Sequence, residues 1–281
     1  TATVTRESQA LMTTSIHPDS RVKRQIWLDG ETSSGDDQVA TETAVALVYN
    51  GVSHVVMMVT PADLEDFAVG FSLSEGILSS ARQLLDVEEK WTEIGVELEL
   101  TIAAEAFVGL KTRRRNLTGR TGCGLCGAES LEQAVPKPAL ITNDLEITHQ
   151  AIQRAIAELA GLQSLQKKTG AVHGAAWCRL DGSIAMVRED VGRHNALDKL
   201  LGAMARNSVD PDGFVLVTSR ASYEMVSKAA SANICLLAAV SAPTSLAINL
   251  AKECGLSLDG FSRPGRHVIY SNEQRIVGES Q

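Results

Sequence analysis

The chain has no surplus of positive charge: 34 acidic against 26 basic residues leave a formal net charge of −8. That balance disfavours nucleic acid and anionic membranes as partners of the molecule as a whole. A disulfide framework is missing too, since five cysteines are an odd number without regular spacing, which fits a reducing compartment. The six histidines offer no zinc motif, no two of them lying within five positions of each other. The first twenty residues are polar and lack the apolar core of a signal peptide. One uncharged stretch, Ala229–Ala251, has bilayer length, but Asn233, Ser241, Pro243, Thr244 and Asn249 break it into strand, turn and helix. A cytoplasmic protein without membrane attachment is expected. Internal repeats and low-complexity segments are also lacking.

What remains is the composition of a soluble globular protein, 44% apolar and 21% charged, long enough for two ordinary cores. Residues 1–35 read as a loose tail, with Ser33–Asp37 a polar turn. Residues 36–111 read as an α+β subdomain. In it Glu42–Tyr49 and His54–Val59 form a hairpin about Asn50–Gly51, and Ile94–Ile102 alternates like a further strand. Thr60 is expected to cap a helix with Pro61 at its first position; Leu64, Phe67, Ala68 and Phe71 share one face of it. Residues 112–136 read as a mobile Arg/Gly-rich loop. From 137 to 281 the predicted order is helix, hairpin, helix, strand, helix, strand, helix, strand. It starts at a Thr148 cap and implies a mixed sheet with helices packed on it, an α/β domain.

The loop carries Cys123 and Cys126, flanked by Gly122, Gly124 and Gly127 and preceded by Arg113, Arg114, Arg115 and Arg120. A thiol reacts as thiolate, and nearby guanidinium charge lowers its pKa from about 8.5 toward neutrality. A short helix is expected after Gly127 and would act in the same direction. A structural zinc site lacks ligands, because Cys178, Cys235 and Cys254 each stand alone in apolar runs. A dithiol–disulfide exchanger fits the spacing, although no strand leads directly into the pair. A sulfur carrier, holding sulfane sulfur as a persulfide, needs the same accessible thiolate and a neighbouring thiol. Incidental cysteines on a surface loop are the fourth reading.

Four strand-to-helix or strand-to-turn junctions in the second half are rich in donors. The first holds Glu189, Asp190, Arg193, His194 and Asn195; an Asp190 cap with solvated Asp198 and Lys199 would explain only part of it. The second holds Ser219, Arg220, Ser222 and Glu224, and the third Ser241 to Ser245 with Thr244 at a helix start. Hydroxyls and backbone N–H groups at helix starts cradle anions, though Ser and Thr are ordinary caps as well. The fourth runs Gly260, Phe261, Ser262, Arg263, Pro264, Gly265, Arg266. Its arginines suit phosphate and its ring suits a base. Together the junctions point to a phosphate-rich ligand.

Taken together, these motifs resemble the formate dehydrogenase accessory sulfurtransferase family (FdhD-type) over roughly residues 36–275. The resemblance rests on Thr60 to Asp66 with Gly70, Phe71, Glu75 and Gly76, and on the Cys123–Cys126 pair. It also rests on His173, Glu189 to Ala196 with Asp198 and Lys199, Ser219 to Glu224, Ala242 to Ser245, and Gly260, Phe261 and Arg263. It implies a C-terminal domain similar to the three-layer, mixed-sheet cytidine deaminase fold. Deaminase chemistry is not implied, since no Glu follows His194 in the zinc-water pattern and no Pro-Cys-x-x-Cys opens a later helix. It further implies that Cys123 takes persulfide sulfur from a cysteine desulfurase, with Cys126 as helper. The sulfur then passes to the molybdenum (or tungsten) bis-guanine-dinucleotide cofactor of a formate dehydrogenase catalytic subunit. That cofactor is a bound acceptor, contacted by Phe261 to Arg266 and by the junctions around Arg193, His194, Arg220 and Thr244. No permanent cofactor or metal is implied. Its two similar arms would suit a homodimer.

Overall fold

The fold is taken from a computed structural model, in which residues 16–115, 138 and 140–278 are described. It opens with an antiparallel ribbon, β1 (Asp19–Leu28) and β2 (Glu31–Ala40), closed by Asp29 and Gly30 at positive φ. The ribbon occupies ground where the sequence predicts a loose tail and a polar turn. Its strands are exposed on nearly every side, so they lack the alternation that normally betrays a strand.

The next four strands form a sheet in the order β4-β3-β6-β5, with β3 (Thr43–Tyr49), β4 (Val52–Val59), β5 (Leu84–Trp91) and β6 (Gly95–Ile102). Asn50 and Gly51 both take positive φ in the β3–β4 turn, as a two-residue hairpin requires. Helix α1 (Leu64–Ser74) and helix α2 (Ala104–Arg115) follow β4 and β6. Val45, Leu47, Leu98 and Leu100 from the sheet pack with Phe67 and Phe71 of α1 and Leu110 of α2. Two expectations are corrected here. Thr60 does not cap α1, whose N-cap is Asp63 in the left-handed region. The backbone of Arg113 to Arg115 belongs to α2 rather than to a loop from residue 112, in line with the good helix propensity of Arg and Lys.

The second half begins with β7 (Ile147–Thr148), α3 (His149–Leu162) and α4 (Ser164–Thr169). The Thr148 hydroxyl accepts from the Ala151 N–H, the predicted cap. There follow β8 (His173–Arg179), β9 (Ile184–Asp190), α5 (Arg193–Arg206), β10 (Gly213–Val217) and α6 (Tyr223–Ser231). The chain closes with β11 (Leu236–Ala239), α7 (Ser245–Cys254), β12 (Ser257–Arg263), β13 (Arg266–Ser271) and β14 (Ile276–Val277). The six-stranded sheet has the order β13-β12-β11-β10-β8-β9, parallel across β10, β11 and β12 and antiparallel elsewhere. One face packs under α5, α6 and α7, through Leu197, Leu200, Met225, Val226, Ala247 and Leu250. The other packs under α3 through Ile152, Ala155, Ile156 and Leu159. This is the expected α/β, mixed-sheet, three-layer domain. The apolar stretch 229–251 divides between α6, β11 and α7, and no helix among the described residues is long and apolar enough to cross a membrane.

The two halves dock through α1 and α5, whose backbones come into contact at glycines. A Cβ on Gly70 would lie 1.7 Å from the Asp198 carbonyl oxygen, and one on Gly202 1.9 Å from that of Asp66. Glycine-to-alanine inside a helix ordinarily gains about 1 kcal/mol. Gly202→Ala is instead expected to lose about 2–3 kcal/mol, because the helices must part. Urea denaturation reads the sign directly: a stabilised variant would mean that α1 and α5 separate without cost.

Candidate functional site

The carboxyl ends of β9, β10, β11 and β12 share one edge of the large sheet, the place where open α/β sheets hold ligands. The loops there are zipped to one another. The Thr244 N–H donates to the Ala221 carbonyl at 3.0 Å, Ala221 and Pro243 form an isolated bridge, and the Phe261 N–H donates to Ser241 at 3.1 Å. The starts of α5, α6 and α7 are therefore held together beside the turn of β12. Arg193, His194, Ser219, Arg220, Thr244, Gly260 and Phe261 all come to this edge. Gly260 is required by close approach, since a Cβ would meet the Pro243 ring at 2.8 Å. Phe261 has φ 51°, an uncommon conformation for a bulky side chain, and its ring is 37% exposed. The Arg266 guanidinium lies 6.0 Å from that ring's centroid. Arg263 pairs with Arg266 in register across the β12–β13 hairpin, and Arg263, Pro264, Gly265 and Arg266 are exposed at its tip.

The polar groups divide into those already satisfied and those that are not. Thr244 spends its hydroxyl on the Ala247 N–H as an ordinary cap. Ser219 donates to the Arg220 carbonyl, and Ser262, fully buried, donates to Asp259 Oδ2. In contrast, buried Arg193 Nε and His194 Nε2 have no hydrogen-bond partner among the described residues. His194 Nε2 stands 3.6 Å from Glu224 Oε2, beyond hydrogen-bond distance. Burial and the Arg193 charge lower the His194 pKa below the usual histidine value, and the same two causes lower that of His173 on β8. A permanently charged guanidinium donor left without an acceptor is a strong pointer to an anionic ligand.

The rest of the densest motif serves another purpose. Asp190 and Lys199 are wholly buried and paired at 2.7 Å. Asp190 also accepts from the N–H of Thr60 at 2.9 Å and of Gly192 at 2.8 Å, while Lys199 donates to the Thr60 carbonyl at 2.9 Å. Asn195 bridges Met58 and Asp190. Asp198, also buried, accepts from Ser74 and from Lys228, which in turn reaches Glu75. Asp198 and Lys199 are thus not solvated. They fasten the first half of the molecule to the second, with Thr60 and Asp190 130 positions apart, and leave Arg193 and His194 to the sheet edge.

Four polar residues near the hairpin escape sequence inspection. His149 and Gln153 on α3 bond His267 on β13, and Asp259 lies buried on β12. The only sequence signal is a lone acid in the apolar run Leu256 to Gly260. Cys123 and Cys126 lie outside the described residues, as does the helix expected after Gly127. The other three cysteines are buried, and burial raises all three thiols above their ordinary value.

Comparison with known proteins finds relatives in sequence and a similar solved structure. A sulfur carrier protein FdhD from Cupriavidus necator is 56% identical over 255 residues, covering 90% of this chain and 88% of the relative. One from Acinetobacter baylyi is 53% identical over 237 residues, covering 84% and 86%. A crystal structure described as that of a proposed formate dehydrogenase accessory protein from Desulfotalea psychrophila superposes with a TM-score of 0.75 at 25% identity. That match covers 92% of this chain and all of the other. The profile of the FdhD/NarQ family matches residues 40–277, and the chain belongs to that family.

Proposed function

We propose that the protein is a sulfur carrier of formate dehydrogenase maturation, with Cys123 holding the sulfur and a guanine-dinucleotide molybdenum cofactor receiving it. Relatives named sulfur carrier proteins at 53–56% identity support the role, and the similar structure's description supports the link to formate dehydrogenase. The observation that carries the assignment to the pair is the state of the remaining thiols. Cys178, Cys235 and Cys254 are buried with raised pKa values, so a reactive thiolate is left to Cys123 or Cys126.

The chemistry balances with two cysteines. The Cys123 thiolate attacks the outer sulfur of a cysteine desulfurase persulfide; the S–S bond of that persulfide breaks and the desulfurase thiolate leaves. The Cys126 thiolate then attacks the Cys123 sulfur, forming a Cys123–Cys126 disulfide and releasing hydrosulfide to the cofactor. The pair supplies the two electrons, and a dithiol reductant resets it. The cofactor is the substrate here. Arg193, Arg220, Arg263 and Arg266 would neutralise its phosphates, and the exposed Phe261 ring would stack on its guanine.

Intact-mass measurement after incubation with a cysteine desulfurase and cysteine tests the carrier. The wild-type chain is expected to gain one sulfur, Cys123→Ala none, and Cys126→Ala to gain and retain it. A wild-type chain that gains none refutes the carrier, and a reversible disulfide without sulfur gain identifies an exchanger instead. Stoichiometric zinc bound at the pair would identify a metal-dependent chaperone.

A further inference from the structure

The tip of the β12–β13 hairpin is held to α3 by one connected hydrogen-bond chain. The Gly265 N–H donates to Gln153 Oε1 at 2.7 Å. Gln153 Nε2 contacts His267 Nδ1 at 2.9 Å, and His267 Nε2 contacts His149 Nδ1 at 2.8 Å, the two rings stacked with centroids 5.0 Å apart. A backbone N–H can only donate, so the amide orientation of Gln153 is fixed and its NH₂ faces His267. His267 Nδ1 must then accept, which places the proton of a neutral ring on Nε2, where it donates to His149 Nδ1. His149 carries its own proton on Nε2. Each of the three contacts has one donor and one acceptor only while both rings are neutral.

An added proton has two places to go, and both break the chain. On His267 Nδ1 it sets two donors face to face at Gln153; turning the amide over merely moves the conflict to the Gly265 N–H. On His149 Nδ1 it sets two donors face to face between the rings. The charged surroundings do not relieve this. His149 is the titratable neighbour that acts on His267, and together with burial it lowers the His267 pKa. Arg266 is turned over the Phe261 ring, Arg154 is taken by Glu158 and Asp181, and Asp259 on β12 is bonded by Ser262. Arg263 is exposed at the tip.

We propose that His149, Gln153 and His267 form a proton-sensitive latch that positions the hairpin tip, and with it Arg263 and Arg266, for an anionic ligand. The ligand part rests on the function proposed above; the latch itself rests on the hydrogen-bond chain. Because the folded pKa of His267 lies below its unfolded value, the latch contributes in full above about pH 6.5. It weakens as pH falls from there through the lowered folded pKa. These are positioning residues, not groups that touch sulfur.

Amide hydrogen exchange on the full chain reads the latch, with guanosine diphosphate as the ligand probe. The protection factor of Gly265 is expected to fall about tenfold between pH 8 and pH 5, the loss of one hydrogen bond. Affinity for the probe should weaken over the same interval. Gln153→Leu should show low Gly265 protection at every pH. His149→Gln combined with His267→Gln, which keeps one donor and one acceptor at each place but cannot titrate, should show the same protection at pH 5 and pH 8. A Gly265 amide that stays equally protected at pH 5 in the wild type overturns the latch whatever the nucleotide does. If the diphosphate fails to bind at any pH, the ligand reading falls and the exchange result still decides the latch.

Discussion

Lys199→Met is expected to lower the unfolding free energy by about 3–5 kcal/mol, the range for removing one partner of a buried ion pair. The two side chains are wholly buried and 2.7 Å apart. Methionine fills much of the same space, so little of the loss comes from a cavity. What it leaves behind is the Asp190 carboxylate, held by the N–H groups of Thr60 and Gly192 and the Asn195 amide, with no compensating charge. Lys199 also binds the Thr60 carbonyl, so both sides of that peptide lose support together. Asp190→Asn combined with Lys199→Met removes both charges and should recover part of the loss. Chemical denaturation of the two single variants and the double gives the coupling directly. A single variant within 1 kcal/mol of wild type would show that the pair does not hold the two halves together.

This pair marks the limit of what was legible in the chain. The Asn50–Gly51 hairpin, the alternating Val45–Leu47–Tyr49 strand and the Thr148 cap follow from local chemistry. So does the gathering of Arg193, His194, Arg220 and Phe261, because strand-to-helix junctions of a parallel sheet end on one edge. Thr60 misleads because a Thr before a proline looks like a cap, whereas its partners are Asp190 and Val191, far along the chain. Asp198 and Lys199 look solvated for the same reason: Ser74, Lys228 and Asp190 are their partners only after folding. The His149–His267 pair joins residues 118 apart and has no local signature.

Asp259→Asn is expected to stabilise the protein at pH 8 and to change little at pH 4. Asp259 is fully buried, with Ala238 and Ile269 beside it in register and the α3 layer over that face. Its Oδ2 accepts from Ser262 at 3.2 Å, while Oδ1 has no partner among the described residues. Burial pushes its pKa up to about 7, against the lowering effect of the Ser262 hydroxyl. The unfolded chain releases this proton near pH 3.9, so between there and about pH 7 the native state binds more protons than the unfolded one. Stability attributable to Asp259 is therefore full at low pH and declines as pH rises, by about 4 kcal/mol at most, since each pKa unit is worth about 1.4 kcal/mol. Asparagine cannot ionise and should remove that slope, giving a gain on the order of 2–4 kcal/mol at pH 8. Urea unfolding at pH 4 and pH 8 decides it: parallel pH dependence in variant and wild type would exclude an ionising buried Asp259. The location of the cost is informative in itself. An acid that weakens the fold sits immediately before Gly260 and the left-handed Phe261, on the edge that gathers Arg193 Nε and His194 Nε2, which lack a hydrogen-bond partner among the described residues. Local rules are broken together there and kept in the clamp at Asp190 and Lys199, the pattern expected of a binding edge carried on a scaffold built for stability.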